Sequence, residues 1–352
     1  MDPLTHLLTG AVLGRAGFNR KAAYATLAMT LAAEAPDLDM LWGFRGPVAA
    51  LEHHRGITHT FLAMPFIALA ATGVGWLVHR SRKKPPAAPV RWGLLWIFCL
   101  IAALSHLLLD FTNGYGLRPF FPFNPRWYSW DIVYIIEPLI LAPLILALVM
   151  PWLFGLADRE IGAKRAKFRG RGWALAALVF IALLYAVRSG EHAHALNLAR
   201  NSSVTTEHIL RVSAQPHPVN PFRWYVIMET PYYYQTAAVN TRLDQIDTDA
   251  GELIYKPPVT MATLAAKRTW LGRIYLDWSK FPVVEDKGAM PLPGYNTDPP
   301  QNDWHTIQFR DLRFGYPVLS LKGNDSVLSG WVYVGPQEEI EGMFMSGAEQ
   351  KD

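Results

Sequence analysis

The chain has 352 residues, of which 51% are hydrophobic and only 18% charged, with a formal net charge of +4. That balance is too apolar for one soluble domain and predicts membrane spans. A single cysteine, Cys99, excludes a disulfide framework or a cysteine-based zinc site within one chain.

In chain order, Leu4 to Leu13 is a short apolar helix with Asp2, His6 and Gly10 on one helical spacing. Gly10 and Gly14, one turn apart, offer a neighbouring helix a close approach. The segment lacks a basic leader and a small-residue cleavage site, so it does not read as a removable signal peptide. Ala22 to Ala35 is a second apolar helix, closed by Pro36 and the Asp37-Leu38-Asp39 pair. Residues 40–60 read as a loop or broken helix, carrying three imidazoles in His53-His54-Arg55-Gly56-Ile57-Thr58-His59. Spans follow at Phe61 to Val78, Trp92 to Phe111, from Asp131 and Glu137 to about Phe154, and at Trp173 to Val187. A Gly, Pro and aromatic-rich loop fills Thr112 to Trp130. Basic connections at Arg15/Arg20/Lys21, Arg80–Arg91 and Arg159–Arg171 alternate with sparse ones. The positive-inside rule then puts the His cluster, the Asn113 loop and everything after the last span outside.

From about Ala195 the pattern becomes short and alternating. Ile209–Ser213, Arg223–Glu229, Tyr232–Asn240, Ile307–Leu312 and Val327–Val334 read as strands, and Met261 to Trp278 as one helix. The expected architecture is an α-helical integral membrane domain over 1–190, with about five to six membrane helices. A soluble, mostly β (α+β) extracytoplasmic domain follows over 195–352. There is no P-loop, dinucleotide fingerprint or basic stripe for nucleic acid.

Ionisable groups in such a setting are placed to pair or to bind an ion. His106 and Asp110 are four apart and leave one helix face together. Imidazole plus carboxylate suits a divalent metal, zinc first, with manganese or iron as alternatives. The plainer reading of the pair is a hydrogen-bonded lock between helices. Asp37 and Asp39 project the same way in extended backbone, and their plainer reading is a solvated turn after Pro36. His59 opens a span. Arg55 either holds a phosphate with its fork or anchors at headgroup level. His6 has Asp2 one turn away to orient its ring. Glu34 lies outside the ligands. Asn113, Asp131 and Glu137 are lesser candidates.

These residues carry a resemblance. Met1-Asp2-x-x-Thr5-His6, Pro36-Asp37-x-Asp39, His54-Arg55-Gly56-Ile57-Thr58-His59 and His106-x-x-x-Asp110 resemble the motifs of the YdjM-like family, bacterial inner-membrane-associated metal-dependent hydrolases. More distantly the order is similar to the zinc-dependent phospholipase C and P1 nuclease group. The resemblance implies His6, Asp37, His59, His106 and Asp110 as metal ligands. It implies a hydrolase of the bacterial inner membrane, and the placement of the site at the outer membrane face suggests a lipid or lipid-linked substrate, foremost a phosphoester. In the same reading Asp39 or Glu34 serves as general base, and His54 or Arg55 steadies developing negative charge. The alternative is a non-enzymatic metal-binding or transport-related membrane protein whose β domain docks a partner.

Overall fold

The computed structural model describes residues 1–161, 168–290, 304–315 and 328–350. The expected basic residues Lys164, Arg165 and Lys167, and Val327 at the start of an expected strand, lie outside these. The chain divides into two compact units.

The first unit comprises Met1–Asp39, Arg55–Ala195 and Gln215–Trp224. Its helices are α1 (Pro3–Leu13), the single turn α2 (Asn19–Lys21), α3 (Ala25–Glu34), α5 (Met64–Ser81), α6 (Trp92–Phe111), α7 (Pro138–Glu160) and α8 (Arg171–Asn201), the last running on past the unit. α4 (Pro47–His53) belongs to the second unit. α1 starts where it does because Asp2 accepts from the Thr5 backbone N–H at 3.0 Å and Pro3 fills the first turn. Gly10 and Gly14 let α1 lie against α3: a Cβ on Gly10 would come within 2.6 Å of the Met29 carbonyl oxygen, and one on Gly14 within 2.6 Å of Thr26 Cα. The alanines Ala25, Ala28, Ala32 and Ala33 of α3 pack with Ala68, Ala71, Leu95, Phe98, Cys99 and Ala102 from α5 and α6. Small side chains here allow backbones to approach where lipid gives no hydrophobic drive between helices.

Among the described residues, three helices are long and apolar enough to cross a membrane: Trp92–Phe111, Pro138–Asp158 and Arg171–Asn201. A fourth span results if Pro47–His59 and Met64–Ser81 count as one broken span. This is fewer than the five to six expected. The difference lies in α1 and α3, which have 11 and 10 residues and fall short of the ~20 that a hydrocarbon core demands. The last span is longer than its apolar stretch, because the helix continues through polar residues to Asn201.

The second unit comprises Met40–His54, Leu196–Ala214 and Tyr225–Asp352. Two five-stranded antiparallel sheets dominate the C-terminal region. The first runs β1 (Arg211–Pro216), β2 (Arg223–Glu229), β3 (Tyr233–Asn240), β4 (Gln245–Asp247), with β5 (Leu253–Tyr255) also pairing β3. The second has the order β10 (Ala348–Gln350), β9 (Ile340–Met345), β8 (Gly330–Val334), β7 (His305–Asp311), β6 (Pro282–Asp286). The expected single helix is two, α9 (Met261–Arg268) and α10 (Trp270–Trp278). Thr269 breaks it: its backbone is extended and its hydroxyl accepts from Gly272 N–H, restarting the helix. Tyr225, Ile227, Tyr234, Phe281, Val283 and Leu312 form one core of this unit. The segment Met40–His54 joins it through side chains: Gln350 accepts from Val48 N–H at 3.1 Å, and Trp270 Nε1–H donates to Glu52 at 3.0 Å.

Candidate metal centre

Within the first unit, four sequence-distant segments deliver ionisable side chains to one place. His6 comes from α1, Asp37 and Asp39 from the turn after α3, Arg55 and His59 from the segment before α5, and His106 and Asp110 from α6. His6, His59, His106 and Asp110 have no exposed surface, and Asp37 and Asp39 are buried. Asp37, His59, His106 and Asp110 each offer one ligand atom, and the four atoms lie within 4.8 Å of one another. His6 Nε2 is 3.3 Å from Asp110 Oδ1 and 3.9 Å from Asp37 Oδ2. The His6 ring stacks on His106 at 3.7 Å between centroids.

The far nitrogens of two imidazoles fix the state of the near ones. His106 Nδ1 is 2.7 Å from the Ala33 carbonyl oxygen, which only accepts, so Nδ1 carries the proton. His59 Nδ1 is 3.0 Å from Asp39 Oδ2, with the same consequence. In the neutral rings both Nε2 atoms present lone pairs, and the two atoms lie 3.0 Å apart. Around them stand carboxylate oxygens: Asp37 Oδ1 at 3.3 Å from His59 Nε2 and Asp110 Oδ2 at 3.2 Å from His106 Nε2. Lone pairs converging on lone pairs repel, and a cation among them, a proton on His59 or a metal ion, resolves the repulsion. His6 Nδ1 and Nε2, Asp37 Oδ2 and Asp110 Oδ2 are buried without a hydrogen-bond partner. Buried polar atoms left so are costly unless something else satisfies them. The nitrogen and oxygen donors fit a borderline divalent metal such as zinc.

Burial, with His106 and the Met1 amine adding to it, pushes His6 down to about 3, so its ring is neutral and ligand-competent. Burial alone would raise Asp37, but the hydrogen bond from His59 and the His106 and His6 rings outweigh it and hold Asp37 at about 2, ionised.

Asp39 Oδ2 accepts from Arg55 N–H at 2.9 Å and Thr58 Oγ1 at 2.8 Å besides facing His59. Arg55 is 2% exposed, and its backbone has φ 57, a left-handed conformation. Its guanidinium is inward: Nη2 donates to Asp110 Oδ1 at 2.7 Å, Nη1 to the Gly116 carbonyl at 2.8 Å and to Asn113 Oδ1 at 3.3 Å. The Met1 α-amino group also bonds Asp110 Oδ1. Glu34 ends α3 half-buried. Burial, with the Asp37 and Asp2 charges adding to it, pushes its carboxyl up to about 7. His54 belongs to the second unit and closes α4 through its backbone N–H to the Ala50 carbonyl. Asp2 serves as the helix cap instead of orienting His6, its carboxylate taking both Thr5 donors. Glu137, beyond opening α7, pairs with buried Arg188 at 2.8 Å. Ala33 and the Met1 amine carry no sequence signal for these contacts. Thr58 had one, lying inside the His54–His59 motif.

A family model described as YdjM inner membrane protein matches residues 1–195, more than half of the chain. The chain is also similar to "Uncharacterized protein YfhP" of Bacillus subtilis (strain 168), at 28% identity over 148 residues, 40% of this chain and 43% of that protein. It thus spans less than half the length of this curated relative. No solved structure matches the chain. By the extent of the family match, and with the buried His/Asp cluster inside the matched region, the chain belongs to the YdjM inner membrane protein family.

Proposed function

We propose that the protein is a membrane-bound metal-dependent hydrolase acting on a phosphoester or lipid-linked substrate at the outer face of the inner membrane. His6, Asp37, His59, His106 and Asp110 hold the metal, with zinc the best fit. The observation that supports this reading is the meeting of two imidazole nitrogens and two carboxylates in a buried pocket. A bound metal supplies a water whose pKa falls from 15.7 to about 7 and polarises a phosphoryl or acyl oxygen.

The chain's own residues divide the remaining work. Asp39 holds the His59 ring through Nδ1, and the Ala33 carbonyl holds the His106 ring. Arg55 fixes the Asp110 carboxylate. Glu34, poised at about 7, takes a proton from water. Asp39 Oδ2 already has three donors around it, which suits an orienting role better than a basic one. His54, next to Arg55 in the chain, steadies developing negative charge. The outward placement of the site and of the C-terminal domain rests on the basic residues of alternate connections.

One observation favours a second reading, a non-enzymatic metal-binding or transport-related membrane protein: four of the five ligands have no exposed surface. Turnover separates the two. Purified protein is assayed for metal by mass spectrometry and for hydrolysis of a phospholipid and phosphoester panel, with and without chelator. The hydrolase reading expects bound divalent metal and chelator-sensitive turnover, both lost in His59→Ala and Asp110→Ala. Metal without turnover selects the second reading. Metal-free protein whose variants match wild type removes both.

A further inference from the structure

The 3-10 run Ala35–Arg45 separates inward from outward positions. Asp37 and Asp39 are buried, while Leu38 between them is 63% exposed. After Asp39 the outward positions stay apolar: Met40 is 52%, Leu41 59% and Phe44 89% exposed. Trp42 stacks on the His53 ring at 3.9 Å, and the exposed Arg45 guanidinium lies 4.8 Å over the Trp42 ring. No acidic residue occurs between Asp39 and Glu52. One short turn thus displays three large apolar side chains, with a tryptophan and a cation at its edge.

From this we infer that the Met40–Arg45 turn enters a lipid leaflet. Met40, Leu41 and Phe44 lie among acyl chains, and Trp42 and Arg45 sit at headgroup level. Three facts select lipid over a protein partner. The family is one of inner membrane proteins, so a bilayer is at hand. Tryptophan and arginine are the side chains that combine an apolar body with a polar tip at the membrane interface. The turn carries positive charge alone, complementary to anionic headgroups. The peptide bond from Asp39 to Met40 then ties a carboxylate of the His cluster directly to the lipid-inserted turn. For the hydrolase reading, on which this clause rests, the substrate class is the headgroup phosphate or ester of a membrane lipid, presented without leaving the leaflet.

The test uses the full chain in nanodiscs. Cys99→Ser removes the native thiol, and Phe44→Cys, or separately Leu41→Cys, carries an environment-sensitive fluorophore. Val179→Cys on the exposed face of α8 is the lipid reference, and Asp249→Cys in the second unit is the aqueous one. The expected result is quenching by nitroxide-labelled phospholipid as at position 179, with loss of the iodide quenching seen at position 249. Iodide quenching equal to that at 249 overturns the inference. So does shielding from both quenchers, which means that protein covers the turn. Metal content of the same samples reports on the metal-site reading separately. Lipid quenching in metal-free, inactive protein keeps the insertion and removes the hydrolase.

Discussion

At the scale of single residues, the site depends on atoms that hold ligands rather than on the ligands alone. Asp39 is the clearest case, because it sets which nitrogen of His59 is protonated. Asp39→Ala is expected to weaken metal binding about 10- to 100-fold, with Asp39→Asn recovering part of the loss. Competition against a fluorescent chelator measures this. In the second unit, Asp311 is fully buried and accepts from Arg313 Nη2 at 2.8 Å, Ser279 Oγ at 2.6 Å and Lys280 N–H at 2.9 Å. Burial alone would raise its pKa, but the Arg313 charge and these hydrogen bonds outweigh it and hold it below the usual carboxylate range. A depressed folded pKa stabilises above the unfolded value of about 4 and loses that contribution as pH falls through the folded one. Wild-type protein should therefore exceed Asp311→Asn in thermal stability at pH 7, and the gap should close as the pH is taken down through and below 4.

At the scale of elements, the approach of α1 to α3 positions His6 against the Ala33 end of α3. A valine at Gly10 meets the Met29 carbonyl and Thr30 Cα, neither of which can rotate away. Gly10→Val should cost about 1–3 kcal/mol in stability and lower metal occupancy. Gly73→Val, whose Cβ meets nothing within 4 Å, should change neither. Thermal unfolding and metal analysis of the two variants decide it. The glycine spacing, the His106/Asp110 pair and the strand Arg223–Glu229 were all legible in the sequence, because each follows a local periodicity. The break at Thr269 was not, since a threonine cap inside an apolar stretch looks like helix. Nor was the inward turn of the Arg55 guanidinium, because a left-handed backbone at a non-glycine residue leaves no periodic trace. β6 opens on Pro282 and carries Glu285 and Asp286, which mask it as a turn.

At the scale of the whole molecule, the reading of sidedness is directly testable. Alkaline phosphatase fused to the C-terminal end of the chain should be active, and green fluorescent protein fused there should be dark. The reverse pattern would put the β sheets in the cytoplasm and move the proposed chemistry to the other leaflet. A last consequence follows from the carbonyl that holds His106. Every amino acid has one, so no point substitution at position 33 deletes it; a larger side chain there fails through packing instead, because Ala33 is buried against Gly10 of α1. A one-residue deletion earlier in α3 is another matter, since it turns the rest of the helix by about 100° and aims the oxygen elsewhere. Natural variation in this helix is thus expected to keep the residue count constant and the inward alanines small, while the outward side chains exchange freely.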